Sequence, residues 1–167
     1  RRVRTLNIID DCNREALAIE AGISFPSQRV VRVLCQVGGE RGFPEVIRVD
    51  NGPEFIAHYF QKWCVANGIT IQYTQPGKPM QNGFIERFKR FFRDDILDAY
   101  WFEDIEQLSI LADKWRYDYN HNHPHKSLGG LSPVQYKTLK HKGTISSQSV
   151  KAIINDSLQE SALTDCP

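Results

Sequence analysis

Apolar residues gather in short runs along the chain, and their spacing predicts the elements. Val3 to Ile9 is rich in β-branched residues, with Leu6, Ile8 and Ile9 apolar, and predicts a strand. Asp10-Asp11-Cys12-Asn13-Arg14 reads as a turn. Glu15 to Ile23 resumes strand character through Ala16, Leu17, Ala18 and Ile19, so the two runs predict a hairpin. After Pro26-Ser27, the residues Val30, Val31, Val33, Leu34 and Val37 fall at helical spacing, with Gly38-Gly39 as the expected stop. Val46 to Val49, bounded by Pro44 and Asn51-Gly52, suits a buried strand. Ala57 to Asn67 predicts a helix with Tyr59, Phe60, Trp63 and Cys64 inward, and Ile69 to Tyr73 another short strand.

Gln75-Pro76-Gly77-Lys78-Pro79 is a loop rich in helix breakers, and a helix follows from about Gln81 to Leu97. Its apolar stripe is Ile85, Phe88, Phe92 and Ile96, and its polar stripe is Asn82, Glu86, Lys89 and Arg93. Asp104 to Tyr119 is a further amphipathic helix, with Ile105, Leu108, Leu111 and Trp115 inward. From Lys140 the chain turns rich in Ser, Gln and Lys, and only Val150 to Ile154 is apolar. A weakly ordered tail over 140–167, with at most one short helix, is the expectation. Hairpin, helix, strand, helix, strand, helix, helix predicts an α/β domain with a mixed sheet over residues 1–139.

Composition narrows this only modestly. A length of 167 residues favours one domain with a sizeable core. The net charge of +1 gives no general argument for nucleic-acid binding, so that case rests on where the cations lie. Cys12, Cys35, Cys64 and Cys166 show no CxxC spacing, which fits reduced thiols in a cytoplasmic protein. No segment is apolar enough to span a membrane, and no signal peptide is evident.

Two carboxylates carry the candidate chemistry. Asp50 follows the Val46–Val49 run, at the strand end where α/β ligand sites gather, and Asn51-Gly52 turns the chain sharply away from it. Glu86 lies on the polar stripe of a basic helix, followed by Lys89, Arg90 and Arg93. Carboxylate oxygens suit hard divalent cations such as Mg²⁺, and neighbouring cations suit phosphate. Singly, each acid also fits a plain role: Asp50 as a turn former, Glu86 as a partner in helical ion pairs.

The segments VDNGPEF, QPGKPMQNGFIERF and YNHNHPHKSLGGLSP together resemble the catalytic core of insertion-sequence transposases of the retroviral-integrase-like DDE family. The 35 residues between Asp50 and Glu86 match that family's spacing, as does a basic residue, Arg93, seven positions after the glutamate. The resemblance covers roughly Val3 to Tyr136. It implies an RNase-H-like fold and two Mg²⁺ or Mn²⁺ ions held by Asp50 and Glu86 as catalytic ligands. It also implies cleavage and joining of DNA by a homo-oligomer assembled on transposon ends and target. Lys89, Arg90 and Arg93, with Lys78, Gln81 and Asn82 from the preceding loop, are the expected DNA contacts. For the loop residues a plain connector is the alternative.

The family uses three acids. The first lies on its first strand, which runs antiparallel to the second and parallel to the strand of the second acid. Val3 to Ile9 resembles the second strand, so the fold is expected to lack its first, with the first acid upstream of Arg1. Asp10 and Asp11 are the alternative, but would lie roughly 20 Å along the sheet from Asp50, at the opposite strand end. With two acids, metal affinity is expected to fall and activity to be minimal, so that this chain by itself is expected to be catalytically dead. Two other readings remain: an inactive remnant that binds DNA or self-associates, and an RNase-H-like nuclease without strand transfer. His121, His123 and His125 lack a zinc-ligand pattern with the cysteines. His123 stands where the family usually has arginine before the proline, which replaces a fixed charge by a titratable one. Trp63, Trp101 and Trp115 are expected in the core rather than as base-stacking platforms.

Overall fold

The computed structural model describes residues 3–75, 83–141 and 151–159, the last five of these as backbone only. Five strands form one mixed sheet: β1 (Val3–Asp10), β2 (Ala16–Gly22), β3 (Val46–Val49), β4 (Thr70–Tyr73) and β5 (Lys151–Gln159). Their order across the sheet is β2-β1-β5-β3-β4. β1 pairs antiparallel with β2 and with β5, while β3 runs parallel to β5 and to β4. The first four strands lie where the apolar runs predict them.

Within the expected weakly ordered tail over 140–167, residues 151–159 are a strand, whereas 142–150 and 160–167 lie outside the described residues. Residues 151–159 form the middle of the sheet, with Ile9 opposite Ile153 and Ile8 opposite Ile154. The apolar run Ala152-Ile153-Ile154 is almost wholly buried, which explains the placement: it fills both faces at once. The slot that the resemblance assigns to a first strand, antiparallel to one neighbour and parallel to the other, is therefore occupied by β5.

Each face of the sheet carries its own core. On one side α1 (Ser27–Arg41), α2 (Pro53–Ile56) and α3 (His58–Ala66) cover Leu6, Ile8, Ile47, Val49, Ala152 and Ile154. On the other, α4 (Gly83–Phe92) and α5 (Ile105–Asn122) cover Val3, Ile9, Ala16, Ile19 and Ile153. Adjacent residues on β5 thus belong to opposite cores, the period-two alternation of a buried strand. A further helix, α6 (Pro133–His141), was not foreseen from the sequence. Asn120 ties α5 to the sheet by accepting from the Ala16 N–H at 2.8 Å and donating to the Ala16 carbonyl at 2.9 Å.

Three local expectations change. α1 runs through Gly38-Gly39 and stops at Gly42, whose N–H donates to the Gly38 carbonyl. Gly38 is needed for close approach instead, since a Cβ there would lie 2.2 Å from the Phe43 ring. The long helix after the loop turns π-helical over Arg93–Leu97, which brings both Ile96 and Leu97 into the core. Trp101 is 75% exposed and Tyr59 50% exposed, whereas Trp63 and Trp115 pack against the two cores as expected.

Candidate metal and nucleic-acid site

Asp50 leaves the carboxyl end of β3. One carboxylate oxygen accepts from the Gly52 N–H at 3.0 Å, an Asx turn that reverses the chain. Asn51 donates to the Thr74 carbonyl at 3.3 Å, and the Thr74 N–H donates to the Val49 carbonyl at 2.9 Å, so the turn is tied to the end of β4. Pro53 then opens α2 at its first position, where its missing N–H costs nothing. Gly52 leaves room for both carboxylates: a Cβ would lie 2.5 Å from Glu54 Oε1 and 3.1 Å from Asp50 Oδ1, and would displace them. Glu54 is buried, with the Arg4 guanidinium 4.0 Å away.

Glu86 sits in the first turn of α4, on its exposed face, where a negative charge suits the helix dipole. Lys89 Nζ donates to it at 3.2 Å. Arg87, Arg90 and Arg93 are also exposed along this helix and its π-turn. The opposite face anchors the helix: Phe88 meets Trp115 and Tyr119 edge-on at 5.3 and 5.1 Å, and Phe92 meets Trp115 at 5.2 Å. Lys78, Gln81 and Asn82 lie outside the described residues.

Asp10 and Asp11 are occupied with the hairpin. Asp10 accepts from the Cys12 N–H at 2.8 Å, and burial pushes its carboxyl above the usual value despite that bond. Asp11 pairs with Arg14 at 2.7 Å and Arg48 at 3.3 Å. Asp10 stands opposite Ala152, which pairs with Ile47, so it lies two strands away from Asp50 and roughly 10 Å further back along them. That offset is shorter than the expected 20 Å, because the register leaves only the three positions from Ile47 to Asp50 between the two levels.

Among the described residues no group of three or more His, Cys, Asp or Glu side chains is placed to hold a metal. The donors present are nevertheless oxygens of the right kind. Besides the two carboxylates, Asn7 in mid-β1 is 1% exposed, and its Oδ1 has no hydrogen-bond partner among the described residues while its Nδ2 donates to Thr5 Oγ1 at 3.2 Å. An unpaired buried carbonyl oxygen costs about 1–3 kcal/mol, so a cation or water beside it would be favoured. This residue was missed at the outset; its signal was an asparagine inside an otherwise β-branched run. The histidines form an aromatic ladder: His123 stacks on Tyr119 at 5.4 Å, and His125 meets Tyr119 edge-on at 5.1 Å. Burial, with His123, Arg14 and Arg87 nearby, lowers the His125 pKa to about 4.

Known proteins resemble this chain in sequence and in fold. Models of an integrase core domain match residues 1–79 and 67–133. An uncharacterized 31.7 kDa protein of insertion element IS407 from Burkholderia multivorans is 38% identical over 144 residues, 86% of this chain and 52% of that protein. An uncharacterized 39.2 kDa protein of insertion element IS476 from Xanthomonas euvesicatoria is 40% identical over 136 residues, 81% of this chain and 39% of that protein. The chain therefore spans about half or less of these relatives. Among solved structures, the catalytic core domain of BIV integrase superposes with a TM-score of 0.60 at 24% identity, covering 84% of this chain and 91% of that one. The HTLV-2 integrase catalytic core, in complex with magnesium, gives 0.58 at 19% identity, covering 78% and 82%. These structures share the RNase-H-like fold.

Proposed function

This chain belongs to the integrase-core family of insertion-sequence transposases, and from that premise we propose that it serves metal-dependent cleavage and joining of DNA strands. The observation that carries the reading is Asp50 at the carboxyl end of β3, held by the Gly52 turn, on a sheet covered by α4, which exposes Glu86 beside a run of cations. Asp50 and Glu86 are the residues that would hold Mg²⁺ or Mn²⁺. When bound, such ions supply an activated oxygen nucleophile and neutralise the leaving oxygen of an in-line displacement.

The chain's own residues do the positioning. Gly52 and Pro53 fix the Asp50 carboxylate; the Phe88–Trp115–Phe92 packing fixes the roll of α4, and hence the direction of Glu86. Arg90 and Arg93 are free to meet the phosphate backbone, and Lys89 would exchange Glu86 for phosphate once that carboxylate binds metal. Lys78, Gln81 and Asn82 would extend the contact from the loop before α4. The DNA partners are element ends and a target duplex, engaged by a homo-oligomer in the cytoplasm. No described helix is long and apolar enough to cross a membrane.

The test is joining of a labelled duplex end into plasmid DNA with Mn²⁺. Slow, metal-dependent product that disappears with Asp50→Asn and with Glu86→Gln supports the reading. Product that survives either change, or that forms equally without metal, contradicts it.

A further inference from the structure

A narrow cleft lies between the β1–β2 turn, α4 and the tight turn at Lys126–Leu128. Arg14, Arg87 and Lys126 line it, with Ser127 and His125, and among the described residues no carboxylate does. Its enclosed part measures about 20 Å³, room for one oxygen-sized atom rather than a whole ligand. Cations gathered in a partly closed space without a counter-charge repel one another, so an anion between them is favoured.

Two buried nitrogens of this lining have no partner among the described residues: Arg14 Nε and His125 Nε2. Arg14 Nη1 is committed to Asp11 at 2.7 Å, and the guanidinium carbon lies 3.3 Å above the Phe84 ring. Stacking holds the guanidinium by its face and leaves its N–H edge for a further acceptor. Arg14 has a φ of 64°, the left-handed region that favours glycine, so this side chain is kept in the turn at a conformational cost. An acceptor-only oxygen satisfies both nitrogens, since a neutral imidazole can donate from Nε2.

On α4, Phe84, Arg87, Phe88 and Phe91 of the cleft share one face, about 100° round the helix from the stripe of Glu86 and Arg93. Arg87 directly follows Glu86, so a strand laid on the exposed cations of α4 passes the mouth of the cleft. We infer that the cleft seats one backbone phosphate of bound DNA, with a non-bridging oxygen entering between Arg14, Arg87 and Lys126. The inference rests on the reading of the chain as acting on DNA, and adds an anchor beside the Glu86 stripe. Such a contact fixes the register of a strand and reads no base.

The test is binding of a mixed-sequence duplex to the whole chain, by fluorescence anisotropy across a NaCl series. Arg87→Gln and Lys126→Gln together should weaken binding roughly tenfold whatever the sequence and lower the salt slope by about 1, since both serve one phosphate. Lys114→Gln, at an exposed position of α5 that does not line the cleft, should leave both unchanged. In the unaltered chain the Arg14 Nε–H resonance should shift when the duplex is added. A slope lowered by about 2 means two separate contacts and overturns the shared seat. An unchanged slope, or an Arg14 resonance that the duplex does not move, overturns the inference and leaves the functional reading standing. A resonance moved by inorganic phosphate but not by the duplex assigns the cleft to a free anion and overturns the inference likewise. Failure of the unaltered chain to bind the duplex at low salt overturns both. Should the paired variant not fold, the Arg14 resonance of the unaltered chain decides.

Discussion

Ile154 of β5 pairs in parallel with Val49 of β3, and this single register aligns the middle of the central strand with Asp50. Both side chains are about 1% exposed and lie in the same core. The packing that closes the sheet therefore also decides which residues meet at its functional end.

The closure has a stability consequence. Ile154→Ala should cost about 2–5 kcal/mol in urea unfolding, the usual range for emptying a buried isoleucine site. Val65→Ala, at a position 78% exposed, should change stability by less than about 0.5 kcal/mol. Equal, small effects of the two would mean that β5 does not occupy the middle of the sheet.

Asn120 gives a second stability test. Its amide satisfies both the N–H and the carbonyl of Ala16 across 104 residues of sequence. Asn120→Ala leaves two buried backbone groups unpaired and should cost about 2 kcal/mol or more, seen as a lower Tm. Asn120→Asp keeps the acceptor but buries a carboxylate oxygen against the Ala16 carbonyl, so at neutral pH it should cost at least as much.

Gly52 separates site geometry from folding. In Gly52→Ala the new methyl group meets Glu54 Oε1 and Asp50 Oδ1, both ends of side chains that can move aside. Circular dichroism should stay that of the unaltered chain, while Mn²⁺ affinity falls about tenfold as the Asp50 carboxylate is displaced. Unchanged affinity would show that the turn does not aim Asp50 at a cation.

His125 sets a pH dependence. Burial and the nearby cations lower its pKa from 6.5 to about 4, so the folded chain favours the neutral ring. Below pH 6.5 the unfolded chain takes up a proton that the folded chain resists. Stability should therefore fall as pH drops from 6.5 toward 4 and be insensitive to this group above that window. Glu15 is also buried, yet its hydrogen bonds to Arg41 lower its pKa below 4.5, so its contribution is lost at still lower pH. Thermal melts between pH 4.5 and 8 should show the His125 slope, and His125→Phe should flatten it.

Much of this architecture was legible in the sequence because it follows from local pattern. β1, β2, β3 and β4 are short apolar runs between turn residues, and the α4 and α5 stripes repeat at helical spacing. Asp50 and Glu86 were visible because their flanking segments are specific. β5 was not legible: Ala152-Ile153-Ile154 is a short apolar run followed by Asn155, Asp156 and Ser157, and only pairing with β1, some 140 residues away in sequence, makes it a strand. Gly38 misled for a related reason, since the Phe43 ring that demands it arrives from outside the helix pattern. Asn7 was passed over because its burial comes from a strand on either side, β2 and β5, and Trp101 was misplaced because its flanking position carries no helical period.

The most direct measurement is Mn²⁺ titration of the unaltered chain beside Asp50→Asn and Glu86→Gln, by calorimetry at neutral pH. The expected result is weak, saturable binding that each substitution lowers about tenfold or more, with the folded circular dichroism spectrum retained in all three. Binding of undiminished strength in both variants would contradict the assignment of Asp50 and Glu86 as the metal-holding pair.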